Sequence, residues 1–333
     1  MTVVGRVLGF AFAAVLAAGR VASSADRRPS FVLVVLDTVR YDAVSIYGKV
    51  GTSTPTVDAL ARRGLLYRHA YANANWTLPS HVTLFTGLLP SQHGVNAVHF
   101  YAPDALVTLA ERLRDAGYET IGVSDNPYVG KDTNLTQGFD RFVSLENPMT
   151  TGFATVDVES AVRAWLSARN GDRPYFLFVN LMDAHAPYKN HPQNPFLVVD
   201  PQTATHVAQD DRYLCSPLSS SPDMDILWSL YIGGVAAADA RLGALLRQLR
   251  NAGASDGSTV IIVTADHGEH FGEHRLILHD YGVYDELLHV PLVVVGAPGA
   301  ATGSIEEAVQ LADIEPSILA MGRSAPRSAT RSS

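Results

Sequence analysis

The chain has 333 residues, 47% of them hydrophobic, which is enough to bury the core of one large α/β domain or of two smaller domains. Its formal net charge of -8 and the absence of long Lys/Arg runs argue against nucleic acid or an anionic membrane surface as a partner, and favour a small molecule or a glycan. The single cysteine, Cys215, excludes a disulfide within the chain and a cysteine-rich zinc site.

Residues 1–25 have the pattern of a secretory signal peptide, with Arg6 ahead of the apolar stretch 7–18 and small residues up to Ala25. The apolar stretch is shorter than the ~20 residues that span a bilayer, so we expect export to the periplasm or the extracellular space and no transmembrane anchor. The alternative is an N-terminal extension or a loose amphipathic helix, in which case the protein is cytoplasmic.

The region 30–320 alternates short apolar runs with helical patterns, which is typical of a three-layer α/β/α domain with a mostly parallel central sheet. Apolar runs predict buried strands at 31–36, 175–181, 260–263 and 290–295. Capping signals and apolar spacing predict helices at 55–64, from Pro79 onward, and at 106–116, 156–168 and 226–249. Residues 186–222 are rich in Pro, Ser, Asn and Asp and predict a long loop or lid, while the Ser/Arg-rich tail 323–333 is expected to be disordered.

Acidic and histidine side chains follow three of the predicted strands. Asp37 comes after the first strand, Asp183 and His185 come after strand 175–181, and Asp266 and His267 come after strand 260–263. A lone acid at such a place is usually a turn or helix-capping residue. In an open parallel sheet, however, the carboxyl ends of the strands share one edge, where ligands bind. We therefore expect these side chains to converge on a site.

Asp37, Asp266 and His267 form a mixed oxygen and nitrogen ligand set that suits a divalent cation such as Zn²⁺, Mn²⁺, Mg²⁺ or Ca²⁺. Such an ion lowers the pKa of a bound hydroxyl and makes it a usable nucleophile. Thr77 places a hydroxyl beside the predicted helix start at Pro79, where backbone N–H groups can bind the oxygens of a phosphate or sulfate. Threonine is equally common there as a helix cap, so the residues alone leave both interpretations open.

Five separated motifs in this order resemble the sulfatase family of the alkaline phosphatase superfamily. They are DTVRYD at 37–42, TLPSH at 77–81 with TG at 86–87 and PSQHG at 90–94, DAHAPY at 183–188, DHGE at 266–269 with GEH at 272–274, and YDEL at 284–287. The resemblance extends from about residue 31 to about residue 320. It implies an α/β fold like that of alkaline phosphatase and the hydrolysis or transfer of a phosphate or sulfate ester.

The resemblance also implies roles for individual residues at the metal. Asp37, Asp266 and His267 match the metal ligands of the family, and Thr77 stands where the family has its nucleophile, which also contacts the ion. We therefore expect one divalent metal ion as the cofactor.

On the substrate side, the resemblance implies that His81 binds substrate, because it stands where sulfatases usually have an arginine. His185 matches a histidine beside the substrate, and His279 lies near a C-terminal Lys or His of the family. Either histidine is a candidate catalytic residue that donates a proton to the leaving oxygen. Lys131 is a weaker match to a lysine that contacts sulfate. A second metal ion, held by Asp183, His185 and His279, is the alternative to a single ion.

Two departures from the family pattern limit these implications. Sulfatases have Cys or Ser at the position of Thr77, which is converted to formylglycine; threonine cannot form that aldehyde because its β-carbon carries a methyl group. Thr38 replaces a second aspartate, which makes Ca²⁺ less suitable than Mn²⁺, Zn²⁺ or Mg²⁺. Members with an unmodified threonine nucleophile typically act on phosphorus, so both phosphate and sulfate esters remain candidates.

Two alternatives stay open. The sequence stops shortly after residue 316, where family members usually add a small C-terminal subdomain beside the site, so a non-catalytic binding protein with the same fold is one. The other is a phosphomonoesterase or mutase that uses the same ligands.

Overall fold

The computed structural model describes residues 28–48, 50–144, 157–192, 194–209, 223–255, 257–279, 281–299 and 301–323. The predicted signal peptide, Cys215 and the tail from residue 324 lie outside the described residues. Expectations about those segments therefore stay predictions.

A mixed sheet of nine strands forms the centre of the molecule. Its strands are β1 Ser30–Leu36, β2 Leu65–Tyr71, β3 Glu119–Ser124, β4 Arg141–Ser144, β5 Tyr175–Leu181, β6 Thr259–Thr264, β9 His289–Val295, β10 Gly303–Ile305 and β11 Val309–Gln310. The order is β10-β2-β9-β6-β1-β5-β3-β4, with β11 also beside β2. Only the pairings of β9 with β2 and β6 are antiparallel, so the predicted mostly parallel α/β sheet is confirmed. Strands β7 His270–Phe271 and β8 Ile277–Leu278 form a separate small hairpin.

The central strand β1 is enclosed by neighbours on both sides and by packing on both faces. Its residues from Phe31 to Leu36 are fully buried, and β5 and β6 flank it on either side as parallel neighbours. A strand covered on both faces has no polar face, which is why its sequence is a continuous apolar run rather than an alternating one. The four strands predicted from apolar runs are all present.

Strand β9 accommodates a proline in the interior of the sheet. Pro291 has no N–H to donate, and the neighbouring strand β2 is irregular between Tyr67 and Ala70, whose partners on β9 are Leu292 and Val290. This irregularity lies opposite Pro291. On the other side, Thr264 Oγ1 donates to the Pro291 carbonyl at 2.8 Å, so the proline keeps its one backbone hydrogen-bonding group occupied.

Two packed groups of helices accompany the sheet. The helices are α1 Pro55–Ala61, α2 Thr77–Thr86, α3 Pro90–His93, α4 Leu109–Asp115, α5 Val158–Ala168, α6 Pro201–Ala208, α7 Met224–Asn251, α8 Asp285–Leu288 and α9 Ile314–Arg323. The long helix α7 contacts α1, α5 and α6, while α2 contacts α4 and α9. This grouping is what a sheet covered by helices requires.

Helix boundaries differ from the predictions where polar side chains cap the first turn. Helix α4 begins at Leu109 rather than at residue 106 because Thr108 and Glu111 form a capping box. Asp157 accepts from Ser160 N–H at 2.8 Å and starts α5 two residues later than predicted. The apolar spacing alone does not locate these starts.

The predicted loop 186–222 is partly helical. Pro201–Ala208 forms α6, whose first turn is capped by Asp200 through the backbone N–H groups of Gln202 and Thr203. Asn194 Nδ2 also donates to the Ser229 carbonyl on α7 at 3.0 Å, so part of this segment packs on the long helix. Residues 193 and 210–222 lie outside the described part of the chain.

Helix α7 is long and apolar enough to cross a membrane, by length and composition only. Its most apolar stretch is 72% buried within the domain, as expected for a core helix.

Candidate active site

Two carboxylates stand side by side at the carboxyl edge of the sheet because their strands are paired in register. Val35 of β1 lies opposite Thr264 of β6, and Asp37 and Asp266 come two residues further on. Thr38 N–H donates to Asp266 Oδ1 at 3.1 Å and joins the two strand ends. The sheet therefore brings together residues 229 positions apart, at the edge where the sequence predicted a site.

Asp37 has one carboxylate oxygen fixed and one free. Its Oδ2 accepts from Asn126 Nδ2 at 2.8 Å and from Asn180 Nδ2 at 3.1 Å. Its Oδ1 is buried and has no hydrogen-bond partner in the described part of the chain. The next residue, Thr38, has a φ of 59°, which is rare for a β-branched residue. Its hydroxyl donates to the Asp37 carbonyl and not to the site.

Asp266 repeats this arrangement. Its Oδ1 accepts from the N–H groups of Thr38 and His267, while Oδ2 is buried without a hydrogen-bond partner among the described residues. His267 Nδ1–H donates to the Gly268 carbonyl at 2.9 Å, and its Nε2 faces the pocket, 3.3 Å from Asp266 Oδ2. A ring nitrogen fixed in this way is typical of a metal-binding histidine.

These three residues fit a cation. Asp37, Asp266 and His267 each offer one ligand atom, and these atoms all lie within 4.8 Å of one another. The two unpartnered carboxylate oxygens would be costly to bury without a positive charge, and a divalent ion supplies it. Within the described ranges, this is the one group of three or more acidic, histidine or cysteine residues that is close enough to hold an ion.

The pKa shifts in the pocket also favour a bound cation. Burial and the neighbouring Asp37 carboxylate raise the pKa of Asp266 well above its usual value. Burial and the nearby His279 lower the pKa of His267 well below its usual value, so its ring stays neutral and can bind a metal. A cation beside the two side chains would favour the charged form of Asp266.

Thr77 is the first residue of α2, two residues before the predicted start, and it is 2% exposed. Its Oγ1 lies 3.4 Å from His267 Nε2 and accepts a hydrogen bond from Asn126 Nδ2 at 3.3 Å. Ser80 Oγ donates to the Asp266 carbonyl at 2.7 Å and holds this end of the helix against the cluster. The structure thus places the Thr77 hydroxyl in the same pocket as the three candidate ligands.

Sequence reasoning missed two amides of the pocket. Asn126 follows β3, and Asn180 lies inside β5 opposite Val35 of β1. Each donates to Asp37, and Asn126 also reaches Thr77. The available signal was a polar amide within or just after an apolar strand, because such a residue needs a partner when buried.

His81, predicted to bind substrate, lies one turn after Thr77 in helix α2. Its ring is fully buried, its Nδ1 hydrogen-bonds to the Thr77 carbonyl at 2.9 Å, and Asn180 Nδ2 donates to its Nε2 at 3.2 Å. Phe85 and Phe178 pack edge-on against it. Burial lowers the pKa of His81. Both ring nitrogens therefore have protein partners, one of them the backbone of Thr77, and the role of His81 in substrate binding stays a prediction.

The structure divides the remaining predicted residues into two sets. His185 and His279 approach the cluster, with His279 4.5 Å from His267 and 5.2 Å from His185 between ring centroids. Asp183 instead pairs with Arg241 of α7 at 2.8 Å. His185 Nδ1 hydrogen-bonds to the adjacent Ala186 carbonyl.

Lys131 is exposed at the start of a short 3-10 helix, Lys131–Thr133. Its predicted contact with the sulfate stays a prediction.

A mostly parallel α/β sheet that gathers two carboxylates, an imidazole and an alcohol at its carboxyl edge defines an alkaline phosphatase-like architecture. The sequence matches the family named Sulfatase over residues 29–322. The chain therefore belongs to the sulfatase family.

Curated relatives agree with this assignment. The chain is 30% identical over 298 residues to human N-sulphoglucosamine sulphohydrolase, covering 82% of this chain and 57% of the relative. It is 25% identical to the Delta 4,5-hexuronate-2-O-sulfatase of Bacteroides thetaiotaomicron, covering 84% of this chain and 64% of the relative. The chain thus spans about three fifths of the length of these two proteins.

Among solved structures, the phosphonate monoester hydrolase of Agrobacterium radiobacter has the same fold. It superposes with a TM-score of 0.70 at 23% identity, over 87% of this chain and 72% of that protein.

Proposed function

We propose that this protein is a metal-dependent hydrolase or transferase of sulfate or phosphate esters, with unmodified Thr77 as its nucleophile. One observation carries the proposal: the buried Thr77 Oγ1 lies 3.4 Å from Nε2 of His267, inside the pocket of Asp37 and Asp266. A threonine whose only role is to cap a helix need not lie beside a group of candidate metal ligands.

Asp37, Asp266 and His267 would hold one divalent ion, and Thr77 would be adjacent to it. A bound divalent ion supplies positive charge that lowers the pKa of a nearby hydroxyl and stabilises negative charge in the transition state. Asn126 would orient Thr77, since its Nδ2 donates to both Thr77 Oγ1 and Asp37 Oδ2.

The reaction would proceed in two displacements. Thr77 loses its hydroxyl proton to solvent, and Oγ1 bonds to the sulfur or phosphorus of the substrate. The bond from that atom to the leaving oxygen breaks, its electron pair stays on the oxygen, and His279 donates a proton to it. Water, or an acceptor alcohol in a transferase, then gives a proton to His279 and bonds to the sulfur or phosphorus. The bond to Thr77 breaks, and Oγ1 takes up a proton from solvent.

A single ion is favoured over two. Asp183, a proposed ligand of a second ion, has its carboxylate 2.8 Å from the Arg241 guanidinium, which already neutralises it. For His81, the contacts favour a supporting role behind Thr77 over direct substrate binding.

The substrate class follows by similarity from the relatives, whose names describe sulfated glucosamine and hexuronate derivatives. We propose a sulfated or phosphorylated glycan or small molecule. Threonine cannot become formylglycine, so the covalent intermediate would be an ordinary ester of Thr77.

The test begins with metal analysis of the purified protein and rates on nitrophenyl sulfate and bis-nitrophenyl phosphate. Thr77→Ala should bind the ion yet lose at least ~1,000-fold in rate, as expected for a lost nucleophile. Thr136→Ala, a matched change at a partly exposed threonine outside the pocket, should retain the wild-type rate.

Equal rates for wild type and Thr77→Ala would remove Thr77 from the mechanism. A wild-type protein that binds metal but turns over neither ester would favour a non-catalytic binding protein. The ratio of the two wild-type rates decides between sulfate and phosphate.

A further inference from the structure

Arg241 of helix α7 is the centre of a cluster of ion pairs. Its Nη1 donates to Asp125 Oδ2 at 2.6 Å and to Asp183 Oδ2 at 2.8 Å, and its Nε donates to Glu159 Oε1 at 3.2 Å. Asp125 is 5% exposed, and its Oδ1 has no hydrogen-bond partner in the described part of the chain. One guanidinium therefore pairs with three carboxylates, two of which meet at the same nitrogen.

Two of these carboxylates lie on loops that carry residues of the active-site pocket. Asp125 follows β3 and immediately precedes Asn126, whose Nδ2 donates to two groups of the pocket. Asp183 follows β5, two residues before His185. Strands β3 and β5 are paired in parallel, so both loops leave the same edge of the sheet. Glu159, in contrast, lies in the first turn of helix α5.

We infer that Arg241 is a positioning residue, which draws the loops after β3 and β5 together and so holds Asn126 against Asp37. This inference rests on the proposed function. Without the guanidinium, the ion pairs that join the two loops would be lost, and Asp125 could no longer keep its charge while buried. The loop after β3 would then shift, and the amide of Asn126 would lose its fixed place. Arg241 would act through Asn126 and would contact neither the ion nor the substrate.

The direction of a change in ion affinity separates positioning from the effect of charge. Arg241 is positively charged, so by electrostatics alone its removal would leave the affinity for a cation unchanged or raise it. Loss of a group that orients a metal ligand weakens binding instead. Weaker ion binding by a folded variant without Arg241 is therefore the expected sign of a positioning role.

The experiment measures the dissociation constant of Mn²⁺, by competition with a chelator, for wild type and variants. Arg241→Met keeps an apolar stem and should weaken binding about 10-fold. Arg241→Lys keeps the charge but not the planar fork that contacts three carboxylates, so its affinity should lie between those of wild type and Arg241→Met. Adding Arg241→Met to Asn126→Ala should cause little further weakening, since both changes release the same ligand.

Arg247→Met and Glu159→Gln are the matched controls. Arg247 is exposed on the same helix, so Arg247→Met removes the same charge at a position outside the cluster. Glu159→Gln alters the ion pair of Arg241 that does not involve either loop. Both variants should bind Mn²⁺ within about twofold of wild type, because exposed and distant charges are screened by salt. Thermal unfolding of every variant establishes that the fold is retained.

An affinity of folded Arg241→Met equal to or higher than that of wild type would overturn the positioning role while leaving the proposed function standing. A weakening of the same size with and without Asn126 would also overturn it, because the effect would not pass through that residue. If Arg241→Met does not fold, Arg241→Lys decides, and wild-type affinity in that variant contradicts the role. A wild-type protein that binds no divalent ion would instead overturn the proposed function.

Discussion

At the scale of single residues, Asn126 links a candidate metal ligand, Asp37, to the proposed nucleophile, Thr77. Its Nδ2 donates to Asp37 Oδ2 at 2.8 Å and to Thr77 Oγ1 at 3.3 Å, and its Oδ1 accepts from Tyr128 N–H at 2.9 Å. Asn126→Ala should weaken binding of the divalent ion about 10–100-fold, the usual effect of removing a group that orients a ligand. Titration with a competing chelator measures this, and Asn170→Ala, an exposed asparagine, is the control. Unchanged affinity would show that Asp37 holds its orientation without Asn126.

Asp125, one residue earlier, should make stability depend on pH. Burial raises its pKa from 3.8 to about 6, against the opposing effect of Arg241 at 2.6 Å. Since the folded-state pKa is above the unfolded value, this carboxyl stabilises the fold most below pH 3.8, and the contribution is lost as the pH rises through about 6.

Asp125→Asn has no such titration. The free energy of unfolding of Asp125→Asn minus that of wild type should therefore rise by up to about 3 kcal/mol between pH 4 and pH 7. The altered contact with Arg241 adds an offset to this difference that does not depend on pH. Urea unfolding of both proteins at several pH values measures the difference. A difference that stays constant with pH would contradict the raised pKa.

The residues that sequence reasoning found and missed differ in chemistry. Asp37, Asp266 and His267 can titrate and follow strands, so their pattern is visible in the sequence. Asn126 and Asn180 are neutral amides, and only the fold shows which carboxylate they face.

At the scale of elements, helix α7 touches the loop that carries His185. A Cβ on Gly234 would lie 2.4 Å from the Asp183 carbonyl oxygen and 2.9 Å from Ala184 Cα. Alanine usually stabilises a helix relative to glycine, but Gly234→Ala should destabilise the protein by about 1–3 kcal/mol because the helix and loop must move apart.

Chemical denaturation of Gly234→Ala measures this cost. Gly257→Ala is the control, because an added Cβ there meets nothing within 4 Å. If Gly234→Ala is instead more stable than wild type, the loop moves to accommodate the added methyl group without a free-energy cost.

Elements were predictable where one signal dominates. Continuous apolar runs identified β1, β5, β6 and β9, whereas β2 reads LLYRHAY and mixes polar with apolar residues along a partly exposed strand. The cap of α1 shows a further limit. Thr54 precedes the helix as expected, yet its hydroxyl makes no capping bond, and Asp239 of α7 accepts from Thr56 and Val57 N–H instead. A cap supplied from 182 residues away leaves no local trace.

At the scale of the whole molecule, a divalent ion bound at the proposed site should contribute to stability. It would bind the cluster only in the folded state, where Asp37 and Asp266 are together, so at 100 times its dissociation constant it should stabilise the fold by about 2.7 kcal/mol. Thermal unfolding with and without a chelator tests this, and Asp37→Ala should abolish the difference. A chelator effect that persists in Asp37→Ala would place the ion elsewhere.

The pairing of β1 with β6 has a consequence for how an ion enters and leaves. Asp37 and Asp266 follow two hydrogen-bonded strands at the centre of the sheet. Strands β1 and β6 therefore cannot separate unless the whole domain unfolds. A bound ion must therefore enter and leave through the loops above the sheet. The amide protons of β1 should exchange with solvent only on global unfolding, whereas release of the ion should follow the faster movements of those loops.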